Sequence, residues 1–216
     1  MRTVENHFSP IESYLSVGDS IVIQGNSWDD AVIRSFEYYG TNFTVNTGDI
    51  PYFEDAHSNV LVLGALGCSN YDIYALTGLG TESVHKTIRQ RLRIPNYGPE
   101  ATLHQSFMKG LLSTDGPVSQ PPVPIMPTEM AGIIGAAGGL SDRTIATRIS
   151  QHQTIKGFLP ELFPDIMAGF YERIGVSGRI GSVLFGHAMG ILDARAPLAS
   201  GTPGSTLLAR PLTHQI

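Results

Sequence analysis

Apolar and polar positions change rhythm several times along the chain. Ser20-Ile21-Val22-Ile23-Gln24 is an apolar run closed by polar residues, which predicts a short buried strand. Gly25-Asn26 then turns the chain. Ser27 precedes a stretch from Trp28 to Tyr39 in which Val32, Ile33 and Phe36 recur at helical spacing, with Asp29 and Asp30 early and Gly40 after it. Carboxylates near the first turn and a glycine at the end are helix signals, so a helix is predicted there. Asn42–Asn46 alternates like a second strand. With an irregular arm over 1–18, residues 1–56 are expected to form a small α/β segment without chemistry of its own.

From His57 onward the rhythm is helical. Val60, Leu61, Leu63 and Ala65 form one apolar face, ended by Gly67. Ser69 can cap the next helix, and Asp72 three residues on makes an acidic variant of the capping box. Ile73, Ala75 and Leu76 begin a packed face, Thr77-Gly78-Leu79-Gly80 is a turn, and a third helix is predicted from Thr81 to about Arg93. There Val84, Ile88 and Leu92 point inward, while Glu82, His85, Lys86, Arg89 and Arg93 are expected on the opposite face. Pro99 to Leu112 supplies a fourth helix.

The pattern then repeats. Gly67-Cys68-Ser69-Asn70-Tyr71-Asp72-Ile73 returns as Gly139-Leu140-Ser141-Asp142-Arg143-Thr144-Ile145, and Ser83-Val84-His85-Lys86 returns, one residue short, as Thr154-Ile155-Lys156. Between the copies lies a stretch from Gly116 to Pro127 with five prolines, read as an extended linker. In the second copy Pro160 and Pro164 interrupt the place where its third helix should continue. Residues 197–216, rich in Gly, Pro, Ser and Thr, read as a loose tail. The expected fold is mainly α: two tetrahelical units at 57–115 and 128–195 behind the small α/β segment, with a linker at 116–127 and a tail at 196–216.

Charge sharpens this picture. The total is −5, but residues 1–79 hold ten of the nineteen acids against Arg2 and Arg34 alone, a net of −8 that leaves +3 for the rest. An acidic N-terminal part joined to a mildly basic part fits a nucleic-acid binder with a separate regulatory surface. One cysteine, Cys68, excludes an internal disulfide framework. The opening Met1-Arg2-Thr3-Val4-Glu5 lacks the apolar run of a signal peptide, and no apolar run is long enough to span a bilayer, so a cytoplasmic protein without membrane contact is expected.

The helical pattern resembles the LuxR/GerE-type (NarL/FixJ class) transcription regulators. Val60, Leu61, Leu63, Ala65, Gly67, Ser69, Asn70, Ile73, Leu79 and Val84 fall on that family's motif without a gap; Asp72 stands for its glutamate and Ser83 for its threonine. Tyr74 replaces a small alanine, Gly80 the serine that caps the recognition helix, and Thr87 a histidine. In the second copy Glu129, Ile133, Ala137, Gly139, Leu140, Ser141, Asp142, Ile145, Ala146, Arg148 and Ile149 match. The resemblance implies helix-turn-helix units that place a helix in the major groove of double-stranded DNA. It nominates Thr81, Glu82, His85, Lys86, Arg89 and Arg93 in the first unit. In the second it nominates Arg143, Arg148, Gln151, His152, Gln153, Thr154 and Lys156. It further implies a bacterial homodimer, paired through a C-terminal helix at about 177–192 whose stripe is Val183, Leu184, Ala188 and Ile191. RNA polymerase or a regulatory protein would meet the acidic N-terminal segment.

Two other readings fit the same residues. In one, strands at Ile21–Gln24, Phe43–Asn46 and Val60–Leu63 form a degenerate receiver domain, non-phosphorylatable because Gly64 stands where the phosphate-accepting aspartate should be. In the other, the helix-turn-helix fold serves as a protein-interaction module without DNA. No enzyme chemistry is expected: there is no Gly-x-Ser-x-Gly elbow, Gly132–Gly139 lacks a phosphate-loop ending, and the seven histidines show no metal-ligand spacing, so neither cofactor nor metal is called for.

Overall fold

A computed structural model describes residues 20–24, 32–46, 55–94, 98–115, 123–151 and 157–192. Strands β1 (Ser20–Gln24), β2 (Val32–Tyr38), β3 (Thr41–Val45) and β4 (Leu112–Thr114) form one antiparallel sheet in the order β1-β2-β3-β4. Among the described residues eight helices follow the first hairpins: α1 (Asp55–Ala65), α2 (Asn70–Thr77), α3 (Thr81–Arg91), α4 (Pro99–Met108), α5 (Pro127–Ala137), α6 (Asp142–Gln151), α7 (Phe163–Ile174) and α8 (Gly178–Ala188), with a 3-10 turn at Pro160–Leu162 before α7. The protein is therefore mainly helical with a small sheet.

The helix expected from Trp28 to Tyr39 is a correction: its described part is strand β2. The misleading signal was the three-residue spacing of Ile33 and Phe36. In the sheet Val22 pairs with Ser35 but Ile23 with Ile33, so Arg34 is an extra residue in β2. Such a bulge lets positions three apart face the same side, and Ile33, Phe36 and Tyr38 are all buried. Tyr38 pairs with Thr41 across Tyr39 and Gly40, whose φ values of 52° and 71° are those of a two-residue hairpin turn with both central residues left-handed. On the buried face Phe36 and Phe43 stack at 4.8 Å.

The receiver reading fails on the same ground. A receiver needs a parallel sheet, whereas this one is antiparallel, and Val60–Leu63 lies inside helix α1. The sheet packs on α1, where the Asn59 side-chain oxygen accepts the Ile33 N–H at 2.8 Å. It also reaches α8 through Thr41, whose hydroxyl donates to the Ala188 carbonyl at 3.2 Å, and through an edge contact of Tyr39 with Phe185.

Helix α4 is shorter than expected. It ends at Met108; Gly110 then takes a φ of 76°, and Leu112 starts strand β4 beside Val45. The end of the first helical unit is thereby sewn to the N-terminal sheet. The repeat in sequence is also a repeat in structure. At Gly67 and at Gly139 the chain makes the same left-handed helix stop: Gly67 N–H donates to Gly64 O and Cys68 N–H to Leu63 O, and Gly139 and Leu140 do likewise to Ala136 and Gly135. The next helix is then capped by serine, Ser69 accepting from Asp72 N–H at 3.1 Å and Ser141 from Thr144 N–H at 3.2 Å.

A single apolar core runs through both units. Ala101–Phe107 of α4 and Gly181–Ala188 of α8 are buried on every side, and the two helices pack on each other. The stripe expected to mediate homodimerisation is corrected by this: Val183, Leu184 and Ala188 lie in the chain's own core, because α8 is enclosed by α1, α4, α5 and α7. Of the expected linker, 116–122 lies outside the described residues, as does the tail.

Candidate nucleic-acid interface

Helices α2 and α3 are joined by three residues. Gly78 closes α2 in the left-handed region at φ 68°, its N–H donating to Tyr74 O at 2.8 Å, and the Thr77 hydroxyl accepts the Leu79 N–H at 3.2 Å. Gly80 begins α3 without a side-chain cap, as its replacement of serine implies. The turn is built from local bonds alone, which is why the sequence announced it.

Helix α3 turns Val84, Ile88 and Leu92 into the core as expected. Two nominated contact residues go with them, and this corrects the reading. His85 is 1% exposed and Arg89 8%. The cause is the number of neighbours: α3 packs on α1, α2 and α4, so its buried arc is wider than a single stripe. The Arg89 guanidinium reaches back to Glu82 at 3.5 Å. Both ring nitrogens of His85 are buried with no hydrogen-bond partner. Burial, with the Arg89 charge beside it, pushes its pKa down to about 4 against the pull of Glu82, so it is a neutral core residue and no phosphate ligand.

What α3 offers to solvent is Glu82, Ser83, Lys86, Gln90 and Arg91, followed by exposed Arg93 just past the helix at φ 53°. Thr81 and Thr87 are half-buried; the Thr87 hydroxyl donates to Ser83 O. This face holds one carboxylate, Glu82, beside hydrogen-bonding and cationic groups, and no aliphatic side chain. Sequence reasoning missed its neighbours on α2, Tyr71 and Tyr74, which are 81% and 61% exposed. Their spacing of three, outside the Ile73/Leu76 stripe, was the available signal.

In the second unit Arg143 and Gln151 are exposed and Arg148 half-buried, all on α6. His152, Gln153, Thr154 and Lys156 lie outside the described residues. The next helix, α7, begins only at Phe163, so Pro160 and Pro164 start a 3-10 turn and a helix instead of breaking one. Arg179, in the first turn of α8, pairs with Asp142 and Glu100 and donates to Leu140 O, so it ties α8 to α4 and to the start of α6. Cys68 is buried, and burial together with Asp72 pushes its thiol up to about 12, which keeps it protonated and unreactive. Among the described residues no helix is long and apolar enough to cross a membrane.

No family model, curated protein or solved structure matches this chain.

Proposed function

We propose that the chain is a DNA-binding transcription regulator that lays the exposed face of α3 into the major groove of double-stranded DNA. The observation that carries this is the composition of that face directly behind a tight glycine turn: Ser83, Lys86 and Gln90 to reach base edges, with Arg91 and Arg93 toward the backbone. An 11-residue helix is about 16 Å long, and the major groove, about 12 Å wide, admits one. The likeness of residues 60–84 to the LuxR/GerE motif supports the same reading. Neither His85 nor Arg89 takes part.

Binding to sheared genomic DNA, followed by fluorescence anisotropy across a salt series, tests this. Each phosphate neutralised contributes about −0.9 to the slope of log affinity against log salt. Lys86→Ala with Arg91→Ala should weaken binding about tenfold or more and flatten the slope by roughly two. An unchanged affinity and slope in a normally folded double variant would refute it. Exposed Tyr71 and Tyr74 favour one second reading, a protein-docking face on α2; binding of a partner that is indifferent to salt and lost in Tyr71→Ala/Tyr74→Ala would select it.

A further inference from the structure

We infer that this single chain is an internally paired two-fold assembly of two four-helix halves, of which only the first reads DNA, so that one chain serves one half-site as a monomer. The pairing rests on packing alone; the reading half rests on the function proposed above.

The halves correspond helix by helix. In the first, α1 packs on α2 and α3, α2 on α3, and α3 on α4; in the second, α5 packs on α6 and α7, α6 on α7, and α7 on α8. Contacts between the halves are reciprocal: α4 meets its own counterpart α8, α4 also meets α5, and α8 meets α1. Reciprocity of this kind defines a two-fold interface, in which the same surface serves on both sides. The departure from symmetry is that α5 lies closer to α8 than α1 does to α4. At the centre His104 Nδ1 and His187 Nε2 are 3.1 Å apart, and the Phe107 ring stacks on His187 at 3.8 Å. The Gly67 and Ser177 junctions touch as well. The faces that would pair two separate copies are thus already occupied within the chain.

The halves are not equal toward DNA. Helix α7 stands where α3 stands, but its exposed positions are Pro164, Asp165, Ala168, Gly169, Glu172 and Arg173. The neighbouring cation, Arg173, is drawn off to Glu129 at 2.7 Å. A phosphate lattice repels the two carboxylates where Lys86 and Arg91 would attract it. Proteins built from two equal halves read two half-sites related by a dyad; among the described residues this one has a single reading helix.

The test is sedimentation of the full chain, alone to about 100 μM and bound to a selected DNA duplex, with hydroxyl-radical footprinting. The expected results are the mass of one chain, one chain per duplex and one protected patch without a dyad-related mate. Asp165→Lys with Glu172→Lys should strengthen DNA binding at least threefold at low salt and add a second patch. A stable dimer, two chains per site, a two-fold footprint from the wild-type protein, or no second patch after the charge reversal would overturn the inference. If the wild-type chain binds no DNA, the functional reading falls, while the mass in solution still decides the pairing.

Discussion

Adding one methyl group at Gly67 probes the contact between the halves. Gly67 ends α1 with φ 94°, and a Cβ there would overlap Ser177 Oγ and lie 2.8 Å from Ser177 Cβ, at the start of α8. Gly67→Ala therefore meets two penalties. A left-handed backbone costs an L-residue about 1–2 kcal/mol, and overpacking a fixed contact costs about 1–3 kcal/mol. Gly78 separates the two. It holds φ 68° at the end of α2, with nothing within 4 Å of its Cβ position, so Gly78→Ala carries the backbone penalty alone. Ser177→Gly removes the obstacle, and because Ser177 makes no side-chain cap bond it should cost only about a few tenths of a kcal/mol by itself. Urea unfolding of the four variants should place Gly67→Ala about 2–5 kcal/mol below wild type, with Ser177→Gly recovering about 1–3 kcal/mol of that in the double variant. If Gly67→Ala costs no more than Gly78→Ala, or Ser177→Gly recovers nothing, the ends of α1 and α8 do not meet and the pairing of the halves loses this support.

Three further outcomes are expected. His85→Leu should stabilise the protein by about 1–2 kcal/mol at pH 7, since it removes a buried ring with no hydrogen-bond partner, and should leave DNA affinity unchanged; a loss of affinity in calorimetrically intact protein would return His85 to the interface. Burial lowers His85 to about 4, and burial with His104 nearby lowers His187 to about 3. Both folded values lie below the unfolded value near 6.5, so their contribution is complete above that pH and is lost as pH falls toward 4 and then 3. By pH 5 each should have cost about 2 kcal/mol, and a melting temperature that depends on pH between 7 and 5 no more in wild type than in His85→Leu would refute the assignment for His85. Arg173→Ala should cost about 2 kcal/mol in urea unfolding: it strips the Glu129 carboxylate, 0% exposed, of its cation, although the half-exposed arginine head softens the loss. A flat result would mean that this pair does not tie α7 to α5.

What could be read in advance was what a few neighbouring residues decide. Ser69 and Ser141 cap helices because a serine oxygen reaches the N–H three residues on, and Gly67, Gly78 and Gly139 stop helices because glycine tolerates positive φ. Those signals located α1, α2, α5 and α6 and the turn before α3. The misreadings have one origin, a pattern whose meaning depends on distant chain. Ile33 and Phe36 look helical until Arg34 is bulged out by pairing with β1. Leu112 extends α4 on paper, but Val45 offers it a strand partner. His85 and Arg89 look solvent-facing when only one packing stripe is allowed for, and three neighbouring helices bury them. Val183, Leu184 and Ala188 read as a stripe for pairing two chains, and they are buried within one. The surfaces that cover it are α1, α4, α5 and α7 of the same chain.

The polar residues at that junction bear on why the pairing is internal. Around the α4–α8 contact, Ser106 and Ser182 direct their hydroxyls to carbonyls of their own helices, Thr102 O and Arg179 O, so neither asks anything of the facing helix. The imidazoles are different, because His104 and His187 answer each other across the contact. They do not sit at equivalent positions. Counted from the first residue of each helix, His104 is sixth in α4 and His187 tenth in α8, whereas the tenth residue of α4 is Met108 and the sixth of α8 is Val183. A pair of α4 helices from two chains, or of two α8 helices, would not bring these two unlike positions together. Either leaves a buried imidazole short of its partner, at about 1–3 kcal/mol for each unmet group. Two such groups arise in any like-with-like pair, so the penalty doubles. The unlike pair avoids it, and the chain between α4 and α5 keeps the right partner always at hand. Specificity of this kind comes from the cost of the wrong pairing as much as from the fit of the right one.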